Sequence, residues 1–142
     1  MIFIDSDALI GLTLPQDPHH PKASVNMAQL SLSQEELVTS WETIDEVVTK
    51  LSMFHNKQVA RDFIQTILPT TKIRTVYIDQ LLSIATLKIF DKQTSKNVSL
   101  TDCANIAICR SLGITHIFSF DPHYSQNGLT LLIVTPTRTG SP

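Results

Sequence analysis

Short runs of apolar residues alternate along this chain with longer segments in which apolar residues recur at helical spacing. Runs rich in β-branched and aromatic residues predict five strands, at residues 2–5, 36–40, 72–78, 115–120 and 129–134. Because strands that alternate with helices build parallel sheets through right-handed crossovers, the pattern predicts an α/β fold. We expect a three-layer α/β/α sandwich with a central, mostly parallel sheet of about five strands.

Periodicity and capping residues place the helices between these strands. Ser40 opens a helix whose predicted apolar stripe is Trp41, Ile44, Val48 and Leu51, and this stripe predicts that Trp41 is buried. A later helix begins after Ser99, reaches Leu112 and ends at Gly113. The remaining helices are predicted at residues 7–12, 22–30, 59–68 and 79–91.

Composition adds limits to this picture. The 142 residues are enough for one domain, which we expect at residues 1–134, and the Pro-, Thr- and Gly-containing residues 135–142 are expected to form a flexible tail. The net charge of −2 gives no global attraction to nucleic acid, so any such contact needs a local patch. No apolar run approaches the roughly 20 residues of a membrane span, and we expect a cytoplasmic protein without a membrane partner. Cys103 and Cys109 are expected to be free, buried thiols.

Carboxylates stand where three of the predicted elements begin or end. Asp5 ends the first strand, Asp102 lies in the first turn of a helix, and Asp121 ends the strand I-F-S-F-D. In a parallel sheet such positions gather along one edge, where like charges need a counter-charge. All-oxygen ligands suit Mg²⁺ or Mn²⁺ better than zinc. The local alternative is that each aspartate is only a helix cap or a turn residue.

Several motifs together resemble the PIN domain, and within it the VapC-like toxins of type II toxin–antitoxin pairs. The matching stretches are I-F-I-D-S-D-A-L-I, D-P-H-H-P-K-A, L-V-T-S-W-E-T-I-D-E-V-V-T-K-L, V-S-L-T-D-C-A-N-I-A and L-G-I-T-H-I-F-S-F-D-P-H-Y. The resemblance implies a metal-dependent ribonuclease with acidic residues that bind Mg²⁺ or Mn²⁺. In this sequence the family's four acidic positions correspond to Asp5, Glu46, Asp102 and Asp121. It also implies an RNA substrate, a homodimer and a small cognate antitoxin.

Residues beside these acids leave some roles open. Glu42 and Glu46 share a polar helix face, and periodicity alone does not choose between them; the family spacing selects Glu46, with Glu42 as the fallback. Asp7, where many family members carry serine, either caps a helix or joins the outer shell of the metal site. Further candidates to orient carboxylates or contact substrate are Ser6, Asn105 and Lys50.

Two other functions compete with the ribonuclease. A PIN-fold module that binds RNA or protein without cutting would share the fold, but acidic residues at all four positions favour catalysis. A phosphatase similar to the haloacid dehalogenases also opens with apolar residues followed by D-x-D, yet the later paired acidic motif of that class is missing from this sequence.

Overall fold

The structure is a computed structural model that describes residues 1–132. In these residues it has five strands and seven helices. The strands are β1 (Ile2–Ile4), β2 (Leu37–Ser40), β3 (Ile73–Val76), β4 (His116–Phe118) and β5 (Thr130–Leu131). The helices are α1 (Ser6–Thr13), α2 (His20–Leu32), α3 (Trp41–Phe54), α4 (Lys57–Ile67), α5 (Gln80–Lys92), α6 (Leu100–Leu112) and α7 (His123–Gln126).

The five strands form one sheet in the order β3-β2-β1-β4-β5. Every strand pair in the described part of the chain is parallel. The central strand β1 pairs on one side with β2, where Ile2 faces Leu37, and on the other side with β4, where Ile2 faces His116. The chain therefore reverses its direction of strand addition between β1 and β4. Clefts at such reversal points are where open α/β sheets bind ligands.

Each face of the sheet has its own apolar core. Ile2 and Ile4 point to the face that is covered by α1 to α4, where Leu9, Val47 and Phe63 are buried against them. Phe3 points to the opposite face and packs with residues of α5, α6 and α7, among them Ile89, Ile106 and Tyr124. Because successive side chains of a strand alternate between faces, a strand of three buried residues can serve both cores. The α/β/α sandwich expected from the sequence is confirmed.

The elements differ from the sequence-based prediction mainly at their ends. The third strand is shorter than residues 72–78, and α2 begins at His20, two residues before the predicted start, with a proline in its first turn. The short helix α7, directly after Asp121, was not predicted. The last strand is seen at Thr130–Leu131, so Leu129 and Leu132, which were predicted to belong to it, do not. Its predicted residues 133–134 and the expected tail at 135–142 lie outside the described residues.

The prediction that Trp41 is buried is wrong. Its side chain is 43% exposed, and the buried residues of α3 are Thr43, Ile44, Val47 and Leu51. The buried face of this helix is therefore turned away from Trp41 and includes a threonine in place of an aromatic ring.

Two further sequence-based expectations concern membranes and thiols. Within residues 1–132, no helix has the length and the apolar character needed to cross a lipid bilayer. Cys103 and Cys109 are buried and unpaired, as expected.

Candidate active site

Acidic side chains cluster at the carboxyl end of β1, where the order of the strands reverses. Asp5 follows β1 directly and Asp7 lies in the first turn of α1. Asp121 lies beyond β4, the neighbour of β1, and Asp102 lies in the first turn of α6. The topology thus brings together, at one edge of the sheet, residues that are more than a hundred positions apart in the sequence.

Asp5 is the most deeply buried of these acids, with 3% of its surface exposed. It occupies the N-cap position of α1, but its side chain makes no N-cap hydrogen bond. Instead, its Oδ1 accepts a hydrogen bond from Asn105 Nδ2 at 3.1 Å and its Oδ2 accepts one from Ser119 Oγ at 3.2 Å. The carboxylate is therefore held toward α6 and the β4 end of the sheet, and capping does not explain it.

Asn105 is fully buried and connects three parts of the molecule. Its Oδ1 accepts from Ser40 Oγ at 2.7 Å and from Thr43 Oγ1 at 3.1 Å, both near the start of α3. Its Nδ2 donates to Asp5 Oδ1 and to the hydroxyl oxygen of Tyr124, the latter at 3.2 Å. With all four contacts made, the orientation of this amide is fixed, and so is the oxygen of Asp5 that it contacts.

Tyr124 links Asn105 to the next acid. Its hydroxyl donates to Asp102 Oδ1 at 3.2 Å, and only 1% of the residue is exposed. Sequence reasoning missed Tyr124 as a site residue, although the motif F-S-F-D-P-H-Y ended on it. The short helix α7 makes the difference, because it turns the side chain at position 124 back toward the acids.

Asp102 both caps a helix and belongs to the cluster. Its Oδ2 accepts from the backbone N–H of Ser99 at 2.9 Å, while Ser99 Oγ accepts from the backbone N–H of Asp102 at 3.1 Å, a reciprocal capping box. Its other oxygen, Oδ1, is the one that accepts from Tyr124. The capping role and the site role are therefore divided between the two oxygens of one carboxylate.

Glu46, on α3, faces the aspartates. Its charge contributes to raising the pKa of both Asp5 and Asp102, and its Oε1 lies 3.0 Å from Lys50 Nζ, one turn further along the helix. Glu42, one turn earlier, lines a separate cavity, and its pKa is raised mainly by burial and then by the charge of Asp45. The charge of Glu46 thus acts on two of the aspartates, whereas Glu42 is a wall residue of that cavity.

Ser119, at the end of β4, joins the two acids that follow β1. Its Oγ lies within hydrogen-bonding distance of Asp5 Oδ2 and, at 3.1 Å, of Asp7 Oδ2. Asp7 Oδ2 also accepts from the backbone N–H of Phe120 at 2.8 Å, which ties α1 to the segment after β4. Ser119 was not among the residues singled out from the sequence, because its role depends on strand pairing and not on a local motif.

Asp121 and Ser6 have less direct connections to the cluster. Asp121 Oδ1 lies 2.6 Å from His123 Nδ1, and its charge reaches Asp102 and raises the pKa of that carboxyl. Ser6 is buried in the first turn of α1, where its backbone N–H partly offsets the rise that burial causes in the pKa of the Asp5 carboxyl.

The electrostatic environment of the cluster is unfavourable to ionised carboxylates. Burial is the main cause that raises the pKa of Asp5, followed by the charge of Asp7 and, more weakly, those of Asp102 and Glu46. Burial is also the first cause of the raised pKa of Asp7 and of Asp102. Hydrogen bonds from Phe120 to Asp7 and from Ser99 to Asp102 act in the opposite direction. Neighbouring acids that raise one another's pKa are a common property of metal sites and catalytic sites.

The donor atoms of the cluster fit a hard cation that keeps much of its water. Within the described residues, no three histidine, cysteine or carboxylate side chains are arranged to hold one ion between them, so an all-protein cage is not formed. However, Asp7 Oδ1 and Glu46 Oε2 are buried without a hydrogen-bond partner. Mg²⁺ is usually bound through one or two carboxylates together with water and substrate phosphates, and oxygen ligands of this kind suit it and Mn²⁺.

Comparison with known proteins identifies a family for this chain. The model of the PIN domain matches residues 2–128. Among solved structures, the VapC20 toxin of Mycobacterium tuberculosis, described as cleaving the sarcin–ricin loop, superposes with a TM-score of 0.84 at 21% identity, covering 92% of this chain and 97% of that one. FitAcB of Neisseria gonorrhoeae gives a TM-score of 0.67 at 17% identity, covering 92% and 96%. A toxin–antitoxin complex from Klebsiella pneumoniae gives 0.60 at 15%, covering 86% and 88%. A search of curated proteins found no match.

Proposed function

The chain belongs to the PIN domain family, and from this premise we propose that it is an endoribonuclease that hydrolyses RNA phosphodiester bonds with Mg²⁺ or Mn²⁺. The observation that carries the proposal is the run of hydrogen bonds from Asp5 through Asn105 and Tyr124 to Asp102, which holds two acids beside each other at this edge of the sheet. Burial is the main cause that raises the pKa of both carboxyls, and the charge of Glu46 adds to it. A chain that buries repelling carboxylates at a ligand-binding edge loses stability by doing so, unless a cation offsets their charge.

Four side chains would hold the metal: Asp5, Glu46, Asp102 and Asp121. When bound, a divalent ion supplies Lewis-acid chemistry, lowering the pKa of a water molecule and offsetting charge on the scissile phosphate. The protein's own part is to present oxygen atoms in a fixed arrangement. Glu46 Oε2 has no partner among the described residues, so it is available as a ligand or as the acceptor of a proton from water.

Neighbouring residues position these acids and receive the substrate. Asn105 and Ser119 fix the two oxygens of Asp5, and Tyr124 fixes Oδ1 of Asp102. Lys50 is paired with Glu46, and its Nζ places a positive charge beside the acids where a phosphate of the RNA would approach. Asp7, tied to Ser119 and Phe120, would act in the outer shell of the site.

The biological setting that we propose is a toxin–antitoxin pair. The similar structures include a toxin that is described as cleaving the sarcin–ricin loop and a toxin–antitoxin complex. We therefore infer a small cognate antitoxin that blocks the acidic site, a homodimeric toxin, and a cytoplasmic location, where RNA is the substrate.

The experiment that tests the nuclease is cleavage of a labelled RNA mixture by the purified chain with Mg²⁺, with Mn²⁺ and with EDTA. We expect cleavage with either metal and none with EDTA. Asp5→Asn keeps the size of the side chain and removes its charge, so it should reduce the rate at least a hundredfold, or about 2.7 kcal/mol of activation free energy. The matched control is Asp91→Asn, an exposed aspartate in α5, which should cleave like the wild type.

Other outcomes would point to other functions. Binding of RNA without cleavage in any metal would favour a PIN-fold module that only binds. Hydrolysis of a small phosphate ester, with RNA left intact, would favour a phosphatase. Cleavage that survives both EDTA and the Asp5→Asn exchange would show that the activity comes from elsewhere, and the proposal would be wrong.

A further inference from the structure

The cavity that Glu42 lines lies close to the acidic cluster in the sequence of α3 and α6. Its volume is about 220 Å³, and Thr101, the residue before Asp102, is part of its wall. On the other side it is lined by Glu42, one turn before Glu46 on α3. The cavity wall therefore contains the residue before Asp102 on α6 and the residue one helical turn before Glu46 on α3.

The cavity is apolar except for a few polar groups. Leu87, Leu100 and Ala104 contribute apolar surface, and Ser83 and Thr101 contribute hydroxyl groups. The one ionisable group in its wall is Glu42, whose Oε2 is buried and has no hydrogen-bond partner. Ser83 and Thr86, also in the wall, donate their hydroxyl hydrogens to the backbone carbonyl oxygens of Asp79 and Leu82, so neither serves Glu42. A carboxylate oxygen accepts hydrogen bonds, so a ligand that completes the cavity is mostly apolar and carries a hydrogen-bond donor such as an N–H group.

Two exposed aromatic rings belong to residues that directly precede residues of the cavity wall in the sequence. Trp41 precedes Glu42, and Tyr77 precedes Ile78, another residue of the cavity wall. The rings stack on each other with centroids 5.8 Å apart and planes 20° from parallel, although the side chains are 43% and 62% exposed. Exposed aromatic rings of this kind are the usual surface on which unpaired RNA bases stack.

We infer that this cavity, with the Trp41–Tyr77 pair at its side, binds one nucleobase of the RNA next to the scissile phosphate, and that Glu42 selects a base with an amino group. Adenine, cytosine and guanine each present an exocyclic amine that can donate to the carboxylate. Uracil has only a ring N–H flanked by two carbonyl oxygens, which the carboxylate repels. The inference rests on the proposed function for the identity of the ligand, but its test does not use cleavage.

Trp41 provides the measurement, because it is the only tryptophan in the chain. Its fluorescence is followed while the wild-type protein, in EDTA, is titrated with the 5′-monophosphates of adenosine, cytidine, guanosine and uridine. Free N-acetyltryptophanamide corrects for absorption by the nucleotides. We expect saturable quenching by the three amino-bearing nucleotides, with a Kd for uridine monophosphate at least tenfold higher.

Two variants examine the role of the carboxylate. Glu42→Gln replaces one acceptor with an amide that can also donate to a uracil carbonyl, so the difference between uridine and the other nucleotides should shrink. Asp91→Asn is the matched control: it removes a charge from an exposed position of α5 that does not act on Glu42 and should leave the difference unchanged. Equal binding of all four nucleotides, no quenching at all, or the same response in both variants would overturn the inference.

The result also distinguishes a failure of the base-binding inference from a failure of the proposed nuclease function. Cleavage of RNA by a protein that shows no base discrimination would remove the inference and leave the proposed function. Base-selective quenching without any cleavage would do the reverse. Fluorescence that changes with protein concentration and not with nucleotide would show that a second copy of the chain covers the cavity, which also overturns the inference.

Discussion

Replacement of Asn105 by alanine should destabilise the protein strongly, because this amide makes four buried hydrogen bonds. The costliest loss is at Asp5, whose Oδ1 would be left buried and charged with one partner fewer; a hydrogen bond to a charged group contributes about 1.5–3 kcal/mol. The neutral partners are better protected, since Ser40 and Thr43 also bond to each other and Tyr124 also donates to Asp102. With the three neutral contacts at about 0.5–1 kcal/mol each, the total is about 3–6 kcal/mol.

The free energy of unfolding of Asn105→Ala is measured by urea denaturation in EDTA at neutral pH, with far-ultraviolet circular dichroism as the signal. The matched control is Asn97→Ala, an exposed asparagine before α6, which should change stability by less than about 0.5 kcal/mol. If Asn105→Ala costs less than about 1 kcal/mol, the hydrogen bonds around Asp5 do not hold the cluster together and the reasoning fails.

Three further outcomes are expected. Burial and like charges raise the pKa of Asp5 and Asp102 in the folded protein, so both groups destabilise the fold when they are ionised, above that raised pKa. The thermal midpoint in EDTA should therefore rise as the pH falls from 8 toward 5. A flat or opposite profile would contradict this. Tyr124→Phe removes the donor to Asp102 Oδ1 and should lower kcat for RNA while the fold is kept, which a cleavage assay beside a circular dichroism spectrum would show. Gly113→Ala should lower the free energy of unfolding, measured by urea denaturation, by about 1 kcal/mol. This residue ends α6 with φ of +69°, where a methyl group meets backbone strain but no neighbouring atom. An unchanged free energy of unfolding would be inconsistent with that backbone conformation.

The fold was predictable from the sequence because it depends on local patterns. The apolar run Ile2–Ile4 and the regular alternation of strands and helices are enough to indicate a parallel sheet with two covered faces. Helix ends were also visible, since Ser99 and Gly113 carry capping signals that need no knowledge of the rest of the chain. What such patterns miss is α7, because four residues are too few to show a helical period.

The candidate site was only partly predictable. Asp5, Asp102 and Asp121 stand at element ends that the topology gathers, so the sequence could point to them. Ser119 and Tyr124 could not be found in this way, because their contacts join residues that meet only after β4 has paired with β1.

The faces of α3 show a second limit. Glu42 and Glu46 lie one turn apart, so periodicity gives them the same environment, whereas the structure puts one in the wall of a cavity and the other against the aspartates. Trp41 was expected in the core because it is apolar. Thr43 is buried instead, and its hydroxyl group makes hydrogen bonds with Asn105 and Ser40.

The hydrogen bonds that run from Asp5 through Asn105 and Tyr124 to Asp102 have a consequence for the time at which the protein gains its activity. A ribosome makes Asp5 long before Tyr124, so every growing chain that ends before residue 124 lacks the group that orients Asp102. The strand that must lie beside β1 before the acids meet, β4, is also synthesised late. Under the proposed function, a chain that ends before residue 124 would lack the ordered acids, and the nuclease would be assembled only after that residue has been synthesised.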